Sequence, residues 1–189
     1  MRRSLLAFLL LVAACGPADK PYAPRQMPTE AVAVRTPRTQ TIKVGDDLQV
    51  LVEWPAQTDP VMKVLTGYYV GSWKAVVAGD DGYLSRVEES AAREAYDWVR
   101  GFADEKRSVK GTARLYALRV AAVMGEGAQI NACVDESGLR LVARDTGEAV
   151  ARQPSWTRAP YLQAVVAHRG DDGVWRVKGF RHSTEGCTR

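Results

Sequence analysis

From Gly111 to Phe180 the chain is a succession of short apolar segments separated by glycine-bearing turns. Such a run restricts the fold to a meander of antiparallel strands with one face covered by another layer. Residues 111–123 alternate Leu115 and Ala117 with Tyr116, Leu118 and Val120. Gly125-Glu126-Gly127 reads as a turn into a strand over 128–135. Glu136-Ser137-Gly138 reads as a second turn into a strand over 139–145. A looser stretch holds Pro154, Trp156 and Pro160. Residues 161–169 and 174–180 then make a hairpin through Gly170-Asp171-Asp172-Gly173.

Upstream the periodicity changes to that of helices. Asp59 suits an N-cap and Pro60 the first helical position. Val61, Leu65, Tyr68, Ser72 and Val76 form one stripe, widened by Met62, Tyr69 and Trp73, and the helix is expected to stop near Gly79. A short second helix is expected over 83–88. A third begins near Ser90 and carries Ala91, Ala95, Trp98, Val99 and Phe102 at helical spacing. Before all of these, residues 41–44 and 48–52 flank Gly45-Asp46-Asp47 as two short strands. The order predicts an α+β fold, with three N-terminal helices packed on a curved antiparallel sheet.

The N-terminus is of another kind. Arg2 and Arg3 precede a run from Ser4 to Ala14 that is nearly all apolar. It is far shorter than the roughly 20 residues needed to span a bilayer, and it has the length of an export-signal core. Val12-Ala13-Ala14-Cys15 matches the bacterial lipobox, an aliphatic residue and two small ones before a cysteine whose thiolate can accept a diacylglycerol. The expectation is a lipoprotein signal peptide at 1–14 and lipidation of Cys15. A proline-rich tether follows at 15–38, with Pro17, Pro21, Pro24, Pro28 and Pro37. A short β segment occupies 39–57 and a single domain 58–189. This places the chain at the extracytoplasmic face of the cell membrane, held there by lipid.

Two further cysteines, Cys133 and Cys187, remain. In an oxidising compartment an even pair is read as a disulfide. A metal or catalytic thiol is the alternative, but the chain has no Cys-x-x-Cys, and His168 and His182 are not spaced as ligands. The histidines are read as solvated strand-end residues, and Asp80-Asp81 and Asp171-Asp172 as turn residues. No metal site and no cofactor is expected. The formal charge of +4 falls to about +2 once Arg2 and Arg3 leave with the signal. No basic stripe suggests nucleic acid.

Tyr68-Tyr69-Val70-Gly71-Ser72-Trp73, the Gly79-Asp80 stop and the terminal Asp172-Gly173-Val174-Trp175-Arg176-Val177 resemble the NTF2-like superfamily, the cone of SnoaL and ketosteroid-isomerase-like proteins, and in particular its secreted versions on actinobacterial lipoproteins. The resemblance spans residues 59–181. It implies a sheet wrapped around a long helix, leaving one open mouth. The superfamily holds enzymes and non-enzymatic modules alike, so the fold does not assign an activity. Tyr68, Tyr69, Trp73, Trp98 and Tyr116 are the candidate pocket residues. Tyr83 and Asp135 are further conceivable members of a ketosteroid-isomerase-like site, but none of these matches a family catalytic position, and no catalytic residue is assigned. The favoured reading is a non-enzymatic envelope module that binds an envelope protein or small ligand. The alternative is an enzyme or carrier using the cone on an apolar molecule. A homodimer through the open sheet face is a third expectation. A cavity holding a carboxylate and a tyrosine within hydrogen-bond reach would favour the enzyme, and a cone plugged by Trp73 and Trp98 would count against it.

Overall fold

The computed structural model describes residues 36–187. The signal peptide, Cys15 and the tether as far as residue 35 lie outside the described residues.

Two strands come first, β1 (Arg38–Lys43) and β2 (Leu48–Trp54), paired antiparallel. Helix α1 (Met62–Ala78) follows, then a 3₁₀ segment (Asp81–Arg86) and helix α2 (Glu89–Asp104). Strands β3 (Arg107–Met124), β4 (Gly127–Ala143), β5 (Tyr161–Arg169) and β6 (Trp175–Ser183) complete one six-stranded sheet in the order β1-β2-β3-β4-β5-β6.

The α+β class is as expected, with two differences. The helices follow the first strands, and the sheet is mixed, because β2 pairs parallel with β3 from Leu48 opposite Gly111 to Val52 opposite Leu115. The physical reason is the connection. A chain that leaves β2, traverses the helices and returns to the neighbouring position arrives in the original direction, which only a crossover of this length permits. The remaining pairs are antiparallel.

Helix α1 stops as its sequence dictates, but it begins at Met62 rather than Pro60, with Val61 as N-cap and no side-chain cap, because Asp59 and Pro60 form a tight turn ahead of it. The Asp59 carboxylate accepts from the Val61 N–H at 2.9 Å. Gly79 ends the helix at φ +72°, where only glycine is unstrained, and its N–H donates to the Ala75 carbonyl at 2.9 Å. The segment expected as a short helix over 83–88 is the 3₁₀ turn, capped by Asp80 accepting from the Gly82 N–H. Helix α1 touches β3, β4 and β6, so the sheet bends around it. Leu65, Trp73 and Val76 of α1 and Leu115, Ile130, Val134, Val165 and Val177 of the sheet fill the space between. Helix α2 lays Ala91, Ala95 and Val99 onto the same core.

The largest departure lies in β4. Glu136-Ser137-Gly138 is not a turn. It sits inside one strand of 17 residues. Its glycine serves a close approach instead: a Cβ on Gly138 would lie 2.5 Å from the Thr112 carbonyl oxygen of β3. On the facing strand Gly111 has φ +115°, and a Cβ there would meet the Gly138 carbonyl at 2.2 Å. The two glycines let β3 and β4 stay paired through an irregular register between Thr112 and Arg114.

Cys133 and Cys187 are joined, with Cα atoms 5.7 Å apart. The bond ties the tail beyond β6 back to β4.

Candidate functional site

Counting by twos along β4 places Ile130, Ala132, Val134 and Glu136 on the face toward the helices. The first three are apolar and fully buried. The fourth carries a carboxyl group into the same layer and is only 3% exposed. An unpaired buried charge is costly, so this group needs partners.

The principal partner is Tyr69 of α1, whose hydroxyl donates to Glu136 Oε1 at 2.6 Å. Tyr161, opposite Val134 at the start of β5, brings a second phenol beside the carboxyl, which lowers the Glu136 pKa. The Trp73 indole N–H points to the same carboxyl and lowers its pKa, but it closes no hydrogen bond of acceptable geometry. Burial outweighs these contacts and raises the Glu136 pKa to about 7. Burial likewise raises Tyr69 and Tyr161 well above the ordinary phenol range, followed by the Glu136 charge beside them. Both phenols therefore remain donors at neutral pH.

Two connected features surround this group. A recess of about 50 Å³ is lined by Tyr68, Tyr69, Ser72, Trp98, Glu136, Tyr161, Gln163, Phe180 and His182. Outside it lies a hollow of about 520 Å³, which shares Glu136, Trp98, Tyr161, Phe180 and His182. Its rim adds Glu94 from α2 and Ser155, Trp156 and Pro160 from the loop before β5. Together they form the mouth of the cone, with Glu136 at its inner end.

The aromatic walls hold one another. Tyr68 stacks on Phe180 with ring centroids 5.4 Å apart. Trp73 meets Trp98 edge-on at 5.0 Å and Phe102 at 5.7 Å. Trp73 is 1% exposed and belongs to the core beneath the mouth, whereas Trp98 is 40% exposed and forms its wall. The cone is narrowed by these rings but not plugged.

Of the five candidate pocket residues, Tyr68, Tyr69 and Trp98 line the recess, and Trp73 backs it. Tyr116 is a correction. It stands opposite Cys133, on the sheet face turned away from the helices, with the Arg114 guanidinium 5.3 Å from its ring centre. The irregular register of β3 gives no period-two signal that would have told the two faces apart there. Tyr83 is buried elsewhere, its hydroxyl donating to the Ala95 carbonyl at 3.1 Å. Asp135 points to the other side of β4 and accepts from the Ser137 N–H.

Glu136, Tyr161 and Gln163 were not among the expected residues. The signal for Glu136 was present, a carboxylate in register with Ile130, Ala132 and Val134. It was hidden because a glycine two residues later suggested a turn. His168 and His182 lie at opposite ends of the β5–β6 pair, opposite Arg176 and Gln163 respectively. His168 Nδ1 is 2.7 Å from Glu88 Oε1. His182 packs edge-on against Tyr161, and loss of water around its ring lowers its pKa. Among the described residues no group of three histidine, cysteine, aspartate or glutamate side chains could hold a metal ion. No described helix is long and apolar enough to cross a membrane.

No protein-family model matches the chain, and no curated protein matches it. Solved structures with a related outline include the intermembrane space region of the chloroplast protein ARC6, at 13% identity and TM-score 0.45, covering 65% of this chain and 93% of that one. ActVI-ORFA from Streptomyces coelicolor has 12% identity and TM-score 0.44, covering 68% and 98%. A ketosteroid isomerase-like protein from Erwinia carotovora atroseptica has 10% identity and TM-score 0.43, covering 68% and 98%. Likenesses at this level carry no argument about the site. The chain's own element order and packing give an α+β fold whose six-stranded sheet bends around α1.

Proposed function

We propose that this chain is a lipid-anchored module of the cell envelope that binds a small, largely apolar molecule in the mouth of its cone. The observation that carries the reading is the buried Glu136–Tyr69 pair at the inner end of an aromatic hollow. Apolar walls with one or two fixed polar groups are the usual make-up of a small-molecule site. The lipobox at Cys15 and the prolines behind it support the placement outside the membrane, on a tether.

The binding test is a titration with a neutral aromatic probe, naphthylmethanol, followed by calorimetry. One saturable site per chain is expected, weakened at least tenfold by Trp98→Ala. Absence of saturable binding would remove the reading. Anchoring is tested separately by fractionating cells that carry Cys15→Ala, which should release the protein from membranes.

A second reading is favoured by the same pair: Glu136 and Tyr69 are a carboxylate and a tyrosine within hydrogen-bond reach in a cavity, the arrangement that favours an enzyme, and burial pushes the carboxyl up to about 7, where it can transfer a proton. On that reading Glu136 would move a proton on the bound molecule. Turnover of candidate carbonyl compounds that is abolished in Glu136→Gln would support it.

A further inference from the structure

We infer that the molecule taken by the cone is a protonated amine on an apolar body, with its ammonium seated in the recess that Glu136 and Gln163 share. This rests on the reading of the mouth as a small-molecule site and adds the charge of its occupant.

Gln163 is 3% exposed, and its side-chain oxygen has no hydrogen-bond partner among the described residues. It lines the same recess as Glu136. Both groups offer acceptor oxygens. Buried acceptors are almost always matched by donors, and an orphaned one is costly. An occupant that fits brings N–H donors, which an ammonium supplies and an ether or carboxylate does not.

The chain is basic overall, at +4. Yet no lysine or arginine is among the residues that line the recess or the hollow, while Glu136 lies inside and Glu94 at the rim. Low-dielectric walls carrying one sign of charge concentrate the field on an entering ion of the opposite sign. A carboxylate ligand would meet Glu136 and Glu94 with no lysine or arginine to balance them.

Trp98, Trp156, Tyr161 and Phe180 surround the path to Glu136. Aromatic faces attract a cation and accept an apolar body equally well.

Binding of such a cation depends on pH. The groups facing Glu136 are Tyr68, Tyr69 and Trp73 from α1, Tyr161 from β5, His182 from β6 and Glu94 from α2, with Asp135 beside it on β4. The phenols are held protonated by burial, and loss of water shifts His182 toward its neutral form. An ammonium in the recess would draw the proton off Glu136, so its binding should strengthen from pH 6 to pH 8.

The test compares three probes with one apolar body: naphthylmethylamine, naphthylmethanol and naphthoate, each titrated calorimetrically into the folded protein. The amine is expected to bind at least tenfold more tightly than the alcohol at pH 8, and naphthoate least. Glu136→Gln and Gln163→Leu should each shrink the amine-to-alcohol gap severalfold. Should either variant fail to fold by circular dichroism, Glu94→Gln at the exposed rim should still cost the amine about twofold to threefold, and a gap it leaves unchanged would count against the inference. An alcohol that binds as tightly as the amine, or a naphthoate that binds more tightly, overturns the inference while leaving the small-molecule reading intact. If none of the three binds, both fall together.

Discussion

The Tyr69 hydroxyl, projecting from α1, donates a 2.6 Å hydrogen bond to the Glu136 carboxylate at the middle of β4. The two residues are 67 positions apart in the chain, and their contact joins the long helix to the sheet that bends around it. Removing the donor leaves a buried acceptor without its best partner. Tyr69→Phe is expected to cost about 1–3 kcal/mol in urea unfolding. It should also raise the Glu136 pKa further, because the lost bond favoured the ionised form. A midpoint unchanged by the substitution would show the bond to be energetically idle.

Glu136 makes stability depend on pH in a stated direction. Its folded pKa of about 7 lies above its ordinary 4.5. Folding therefore favours the protonated form. The contribution is fully present below pH 4.5 and is lost as pH rises through 7. The difference corresponds to roughly 3 kcal/mol between these limits. Unfolding curves between pH 4.5 and 8.5 should show the decline, and Glu136→Gln should flatten it. A decline that persists in the variant would assign it to another group.

Gly138 is expected to resist any side chain. An added Cβ would lie 2.5 Å from the Thr112 carbonyl oxygen, which is backbone and cannot swing away. Gly138→Ala should destabilise by about 2 kcal/mol or more and shift the titration of Glu136, two residues away. A substitution tolerated within 0.5 kcal/mol or so would mean that β3 and β4 separate there at little cost.

Gly71 supplies a second close approach, where a Cβ would lie 2.7 Å from that of Tyr83. Alanine gains about 1 kcal/mol in helix propensity over glycine but must push the 3₁₀ segment off α1. Net destabilisation of about 1–3 kcal/mol is expected, read by thermal melting.

The disulfide closes a span of 54 residues. In the chain-entropy model such a loop is worth about 4 kcal/mol. Cys133→Ser with Cys187→Ser should lower stability by that order. The paired change should also weaken probe binding, because Ser183 and Thr184, just before Cys187, line the hollow. The unreduced, denatured domain should show no free thiol at either position.

Local chemistry was legible residue by residue. Gly79 marks the end of α1 because a left-handed φ is settled within a turn of the chain, and Asp59 marks the turn that leads into it. The hairpin at 170–173 is equally local: Asp172 accepts from the Val174 N–H and from Arg176, which holds its carboxyl well below the usual range. The tyrosines and tryptophans of α1 and α2 were legible as an aromatic layer because they recur at helical spacing. Their division into core (Trp73) and wall (Trp98) was not, since it depends on where α2 lies against α1 and the loop before β5.

What the sequence determined by itself is therefore the class of most described segments, helix, strand or turn, with Cys133 and Cys187 left to pair. These follow from short-range periodicity and backbone preference. What only the tertiary structure decided is which turn signal was no turn, and which polar group faced inward. The reason is that Gly138 is required by a strand 26 residues earlier in the chain, at Thr112, and not by its own neighbours. Once β4 runs straight through, the meander read from residues 111–180 keeps its place, and Glu136 passes from a solvent turn to the inner end of the cone.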